Sequence, residues 1–171
     1  DGMSAVFTLR EGLKFHDGTP FNADAVKYSL ERAQGMNMAP ATYLNPITKV
    51  EVLGPYSIKL STSAPWAFWE DALATRKALG IVSPTYVQAH ATASDPWATD
   101  WMGQHTCGTG PYTVADWQFG QYIKLVKNDG YWGGWRPEQF STVFIKTVRE
   151  PSVEELMIKS GEADIAFDVP E

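Results

Sequence analysis

The stretch FTLREGLKFHDGTPFNADAVKYSLERA, Phe7 to Ala33, reads as strand, turn and helix on its residues alone. Ala5 to Leu9 alternates apolar and polar side chains, which places Val6 and Phe7 on opposite faces of a half-buried strand. Glu11-Gly12 then turns the chain into Leu13 to His16, and Asp17-Gly18 is a second turn dipeptide. Pro20 pre-sets the backbone before Phe21, and Asn22 stands where a helix needs a side-chain acceptor for its free N–H groups. A helix is predicted from Ala23 to about Gly35. Val26, Leu30 and Ala33 recur at helical spacing, with Asp24 in the first turn and Arg32 in the last, as the helix dipole favours.

Working outward, Gly35 to Pro46 reads as an irregular loop, and Lys49 to Leu53 pairs with Tyr56 to Ser61 as a hairpin across Gly54-Pro55. Pro65 opens a predicted helix from Trp66 to Leu73, in which Trp66, Trp69 or Phe68, and Leu73 share a face. A second short helix follows Ser83-Pro84 over Thr85 to Ala91, and Ser94 to Trp101 suggests a third. Tyr112 to Trp117 and Tyr122 to Lys127 form another hairpin around Phe119-Gly120-Gln121, Thr142 to Val148 is a further strand, and Pro151 opens a helix to about Ser160. No internal repeat, low-complexity tract or linker interrupts this pattern.

A chain of 171 residues with 44% hydrophobic content lies in the range of one domain, so one compact unit is expected. The net charge of −6, with 14 scattered Lys and Arg, supplies no clustered positive face for phosphates and excludes nucleic acid as a partner. The single Cys107 cannot form an internal disulfide and leaves the compartment undecided. No apolar run approaches the roughly 20 residues that span a bilayer.

Each candidate chemistry has a plainer competitor. His16 and Asp17 could orient one another for acid–base work, but no nucleophile elbow or oxyanion site accompanies them, so they read as a structural turn. His105 and Cys107 lack the paired ligand spacing of a zinc site, and Cys107 reads as a small buried side chain. Gly108-Thr109-Gly110-Pro111 resembles a phosphate cradle only until Pro111, which removes a donor where a P-loop needs a lysine and hydroxyl. Neither catalytic residue, metal nor cofactor is expected. Seven Trp, seven Tyr and eight Phe are the one compositional excess, and they are first of all packing residues.

LREGLKFHDGTPFNADAV closely resembles the signature region of the solute-binding proteins of ABC transporters in the dipeptide, oligopeptide and nickel class, family five. Ile81-Val82-Ser83-Pro84, Gly108 to Tyr112, Asn128-Asp129-Gly130-Tyr131-Trp132-Gly133 and Ser160 to Ile165 recur in that family's order. One departure is Thr106-Cys107, where a proline with an aliphatic partner is common in the family.

The resemblance implies a mixed α/β fold with a partly antiparallel sheet flanked by helices, of the periplasmic-binding-protein type II kind. It implies a fragment of lobe I: its small subdomain over about 10–145, with edges of the large subdomain at both ends and lobe II absent. The implied role is capture of a peptide or small nutrient between two lobes and delivery to a membrane permease, with no chemistry performed. The implied setting is a monomer in the periplasm or a cell-surface lipoprotein, its signal peptide outside this sequence. Two segments correspond to cleft-lining positions of relatives, Met38 to Tyr43 and Leu79 to Ile81, so the ligand-binding candidates are Met38, Pro40, Tyr43, Leu79 and Gly80. Pro40 stands near where relatives present an aromatic and Gly80 near where nickel-type relatives carry an arginine, which weighs against a nickel chelate. The competing reading is an aromatic-rich carbohydrate-binding module displaying a row of exposed Trp faces on a sheet.

Overall fold

A computed structural model describes residues 2–36, 39–74 and 79–167, with residues 39–41 described by their backbone. The architecture is mixed α/β: two three-stranded sheets with short helices around them. The contact pattern divides the chain into two compact units, one of residues 1–113 and 128–136 and the other of residues 114–127 and 137–171.

In the first unit, strands β1 (Ser4–Thr8), β2 (Ile47–Gly54) and β3 (Ser57–Thr62) form an antiparallel sheet in the order β1-β3-β2. The register sets Ala5 and Val50 opposite Leu60, and Phe7 and Val52 opposite Ile58. Because side chains alternate along a strand, this puts Ile58 and Leu60 of the central strand on one face, and both are buried. Val6, on the other face of β1, is exposed while Phe7 packs against the core.

Helix α1 (Ala23–Met36) covers that inner face with Ala23, Val26, Leu30 and Ala33, which join Leu44, Ile47, Ile58 and Leu60 in one cluster. Burying a side chain such as Leu30 contributes about 1.5–3 kcal/mol. The helix begins as expected: Asn22 Oδ1 accepts from the Ala25 N–H at 2.9 Å, which satisfies one of the free donors of the first turn. A second is met from outside, since the Ala23 N–H donates to the Pro55 carbonyl in the β2–β3 turn at 2.8 Å. Arg32 does not lie in the last turn, because the helix runs on to Met36. Its Nε donates instead to the Trp97 carbonyl at 3.0 Å.

Two expected helices are shorter than their sequence patterns. Helix α2 is Trp69–Ala74, not Trp66 onward: the Trp66 N–H pairs with the Gly2 carbonyl at 2.9 Å, and the helical bonding runs from the Ala72 N–H to the Phe68 carbonyl at 3.0 Å. Helix α3 (Pro84–His90) follows Ser83 as predicted, but the Ser94–Trp101 segment yields only α4 (Thr99–Met102). There Thr92 and Asp95 close a turn on each other, and Ala98 adopts a left-handed φ of 47°, which ends one conformation before the next begins. The loop after α1 contains a 3-10 helix at Ala39–Leu44.

The second unit takes up β4 (Tyr112–Gln118) from Val114 onward, which with β5 (Tyr122–Lys127) and β6 (Thr142–Lys146) makes a sheet in that order, and α5 (Pro151–Ser160) follows. The three-residue connection from β4 to β5 carries Gly120 at φ 73°, and a link that short joins only antiparallel strands. Gly161 caps α5 at φ 74°. No hydrophobic residue described in this unit is buried, and Phe144, Ile145, Leu156, Ile165 and Phe167 are exposed.

Candidate functional site

The residues singled out from the sequence fall on two segments that meet one hydrophobic cluster. Leu44, the last residue of the 3-10 helix, is fully buried in the α1–sheet core, and Leu79 packs against the same core. Gln34 of α1 holds the loop in place, its Nε2 donating to the carbonyls of Leu44 at 3.0 Å and Ile47 at 2.9 Å. With the buried neighbour fixed, Tyr43 is turned outward and is 58% exposed. Gly80 is exposed too, Pro40 lies on the 3-10 helix, and Met38 is outside the described residues.

The 3-10 helix also contacts α2, whose start is aromatic. Trp66 and Trp69 meet edge to face at 4.8 Å between ring centroids, Phe7 lies 6.5 Å from Trp69, and all three pack on the core that holds Leu44. Phe68 beside them is exposed. Tyr43 is thus an exposed aromatic side chain next in sequence to the buried Leu44.

Four of the five motifs that carry the family resemblance, all but Ser160 to Ile165, meet elsewhere in the first unit in a hydrogen-bonded knot. Asp17 Oδ2 accepts from the Ser83 hydroxyl at 2.5 Å, and its Oδ1 accepts from the Thr19 hydroxyl at 2.6 Å and the Thr19 N–H at 2.9 Å. Each hydroxyl has one proton and gives it to Asp17, so the 3.1 Å approach of Thr19 Oγ1 to Ser83 Oγ is a contact within the knot and not a third bond. Burial alone would raise the Asp17 carboxyl, but hydrogen bonds from Ser83, from the Thr19 side chain and backbone, and from Cys107 hold it below the ordinary range. Backbone bonds complete the knot: the Ser83 N–H donates to the Cys107 carbonyl and the His16 N–H to the Gly108 carbonyl. His16 Nε2 donates to the Gly110 carbonyl at 3.0 Å, and Asn128 Nδ2 donates to the same oxygen at 3.2 Å.

The contacts of this knot are structural. Ser83 is fully buried, donates to Asp17 and accepts from the Tyr86 N–H at 3.1 Å as the cap of α3. Burial pushes the Cys107 thiol up to about 11, which keeps it protonated and unreactive near neutrality. Among the described residues, no three His, Cys, Asp or Glu side chains stand close enough to hold a metal ion. Sequence reasoning placed His16 and Asp17 in a structural turn but missed that Asp17 reaches Ser83. The signal available was that both lie in motifs of one family, in fixed order.

Among proteins of known role, the chain is 33% identical over 176 residues to the glutathione-binding protein GsiB of Shigella flexneri, covering 99% of this chain and 32% of that protein. Among solved structures, NikZ from Campylobacter jejuni in complex with Ni(L-His) superposes with a TM-score of 0.80 at 26% identity, over 96% of this chain and 31% of that one. AgaA from A. tumefacien R10, in complex with agropinic acid, gives a TM-score of 0.80 at 28% identity over 95% and 31% of the respective chains. The chain therefore spans about a third of the length of the curated relatives it matches. The fold is that of the periplasmic-binding-protein type II group, and its relatives bind solutes for ABC transporters rather than transform them. The family model described as "Bacterial extracellular solute-binding proteins, family 5 Middle" matches residues 1–171, and the chain belongs to that family.

Proposed function

We propose that this chain is the lobe I portion of the substrate-binding component of an ABC importer, one that captures a peptide or similar small nutrient between two lobes and hands it to a membrane permease. The observation that carries the ligand side is the outward Tyr43 on its buried anchor Leu44, next to the segment of Leu79 and Gly80. Met38 and Pro40 belong to the same loop and complete the proposed ligand contacts. A peptide-type ligand accords with a relative that is named for glutathione binding. Closure on the ligand would follow from contacts made to both lobes, which favour the closed state by their differential affinity.

The division of the sequence into a small subdomain of lobe I, about residues 10–145, with edges of the large subdomain is part of the same reading. The two units follow other bounds than that division, and what accords with an edge of a larger subdomain is the exposure of Leu156, Ile165 and Phe167 in the second unit. A sheet and helix with no buried apolar residue do not repay the entropy of ordering, so the second unit needs further chain to pack on. Export to the periplasm or cell surface and action as a monomer complete the proposal. Among the described residues, no helix is long and apolar enough to cross a membrane.

The carbohydrate-module reading finds no support in the placement of the tryptophans. Trp66 and Trp69 pack on the core, Trp97 lies against Gly35, Trp135 meets Tyr112 edge-on, and the two exposed tryptophans, Trp101 and Trp132, lie on α4 and in a turn rather than on a strand. The test is mass spectrometry of ligand retained by the full-length protein, followed by titration of that ligand into Tyr43→Ala. Retention of a peptide, with at least tenfold weaker binding by the variant and an unchanged melting temperature, is expected. Absence of any retained small molecule, or full affinity in the variant, overturns the assignment.

A further inference from the structure

Gly80 stands where the fold does not require a glycine. A Cβ built there meets no atom of the described residues within 4 Å beyond its two chain neighbours, and its φ lies outside the left-handed region. Neither packing nor backbone strain therefore excludes a side chain. The flanking residues, by contrast, are fixed. Leu79 packs on the α1–sheet core, Ile81 packs on that core and on the second cluster of Phe15, Ala25 and Cys107, and the Val82 N–H donates to Ser29 Oγ of α1 at 3.1 Å. Gly80 itself is exposed, and among the described residues no hydrogen bond takes up its N–H or its carbonyl.

We propose, on the basis of the function above, that Gly80 is the point at which this chain meets the main chain of a peptide ligand: its N–H and carbonyl pair with a peptide unit, and its missing side chain lets that unit approach. A peptide unit offers one donor and one acceptor, and Gly80 offers the same pair in return. Glycine is the residue that permits such an approach, because no Cβ holds the other backbone away.

The packed flanks hold the Gly80 groups in place before the ligand arrives, so little ordering entropy is lost on binding. Leu79 packs on the same core as Leu44, the buried neighbour of Tyr43, so one base carries both proposed contacts. Residues 38–43 and 79–81 include no Asp, Glu, Lys, Arg or His. These segments therefore offer hydrogen bonds and apolar contact rather than charge, which suits the main chain of a peptide and not its charged ends.

The test is calorimetric titration of the full-length protein with glutathione and trialanine, and with analogues of each in which one peptide bond at a time is replaced by an ester. The ester removes the N–H donor and weakens the carbonyl acceptor. Wild type is compared with Gly80→Ala and Gly80→Val. Binding of a peptide by wild type is expected, with about two- to tenfold weaker binding by Gly80→Ala, the worth of one hydrogen bond, and a larger loss in Gly80→Val. The melting temperatures of both variants should equal or exceed that of wild type, because the added side chains meet open space and restrict the unfolded chain. At least one ester should bind wild type more weakly than its parent peptide, by a factor that shrinks in Gly80→Ala. Unchanged affinity in Gly80→Val, equal binding of every ester by wild type, or an ester penalty undiminished in Gly80→Ala overturns the pairing with Gly80 while the proposed function stands. If wild type binds neither peptide, the pairing falls together with the peptide ligand.

Discussion

Ser83 donates its hydroxyl proton to Asp17 at 2.5 Å across 66 residues of sequence, and so joins the turn before α1 to the cap of α3. A carboxylate that accepts three hydrogen bonds from Ser83 and Thr19 keeps the knot in its charged form. Asp17→Asn is therefore expected to cost about 0.5–1.5 kcal/mol at pH 7, because the Asp17 side chain is largely exposed and solvent screens its charge-assisted bonds. The sign with pH follows from the lowered carboxyl: its contribution is present above the unfolded value of about 3.9 and lost as pH falls through the folded one. Urea denaturation at pH 7 and pH 3 should show the wild-type advantage shrinking in acid; an equal advantage at both would contradict the knot.

Gly35 is required by Trp97 rather than by the helix. A Cβ built there would lie 2.7 Å from Trp97 Nε1 and 2.8 Å from two ring carbons, closer than real side chains approach. Elsewhere in a helix Gly→Ala stabilises by about 0.5–1 kcal/mol. Here Gly35→Ala is expected to destabilise by about 1–3 kcal/mol, the usual cost of overpacking. In a Trp97→Ala background the same change should stabilise, and thermal melts of the four proteins would reveal a failure of this sign reversal.

Cys107 should resist thiol reagents. It is 2% exposed, and burial pushes its thiol up to about 11. Labelling with iodoacetamide at pH 8 is expected to be at least a hundredfold slower in the folded protein than in denaturant, where the thiol returns to about 8.5. Rapid labelling of the folded protein would contradict its placement beneath Asp17.

Leu30 lies at 0% exposure where α1 meets β3, among Leu44, Ile58 and Leu60. Leu30→Ala is expected to cost about 2–5 kcal/mol through lost transfer energy and the cavity left behind. Exposed Tyr43 gives the contrast, since Tyr43→Ala should leave the melting temperature within a degree or two.

Local signals were legible wherever a short-range interaction decides the backbone. Asn22 caps α1 through its own side chain, Ser83-Pro84 starts α3, Gly120 turns β4 into β5, and Pro151 opens α5, each within about three residues of its signal. Reading failed where a distant partner overrode the local pattern. The stretch from Trp66 has helical spacing, yet Trp66 is tied to Gly2 far along the chain and α2 begins only at Trp69. The candidate ligand positions were found through resemblance, not periodicity, because nothing local distinguishes the outward Tyr43 from the buried Leu44 beside it.

The sequence by itself determined the family and nearly every turn and cap, because those depend on the stereochemistry of Gly, Pro, Asn and Ser and on neighbours a few residues away. Only the tertiary structure decided that Cys107 and the motif residues Asp17, Ser83 and Gly110 share one knot, and that His90 and His105 each stack on Trp101. Those relationships depend on how a sheet, a helix and two loops fold back together. Contacts across tens of residues leave no period in the chain for a reader to find.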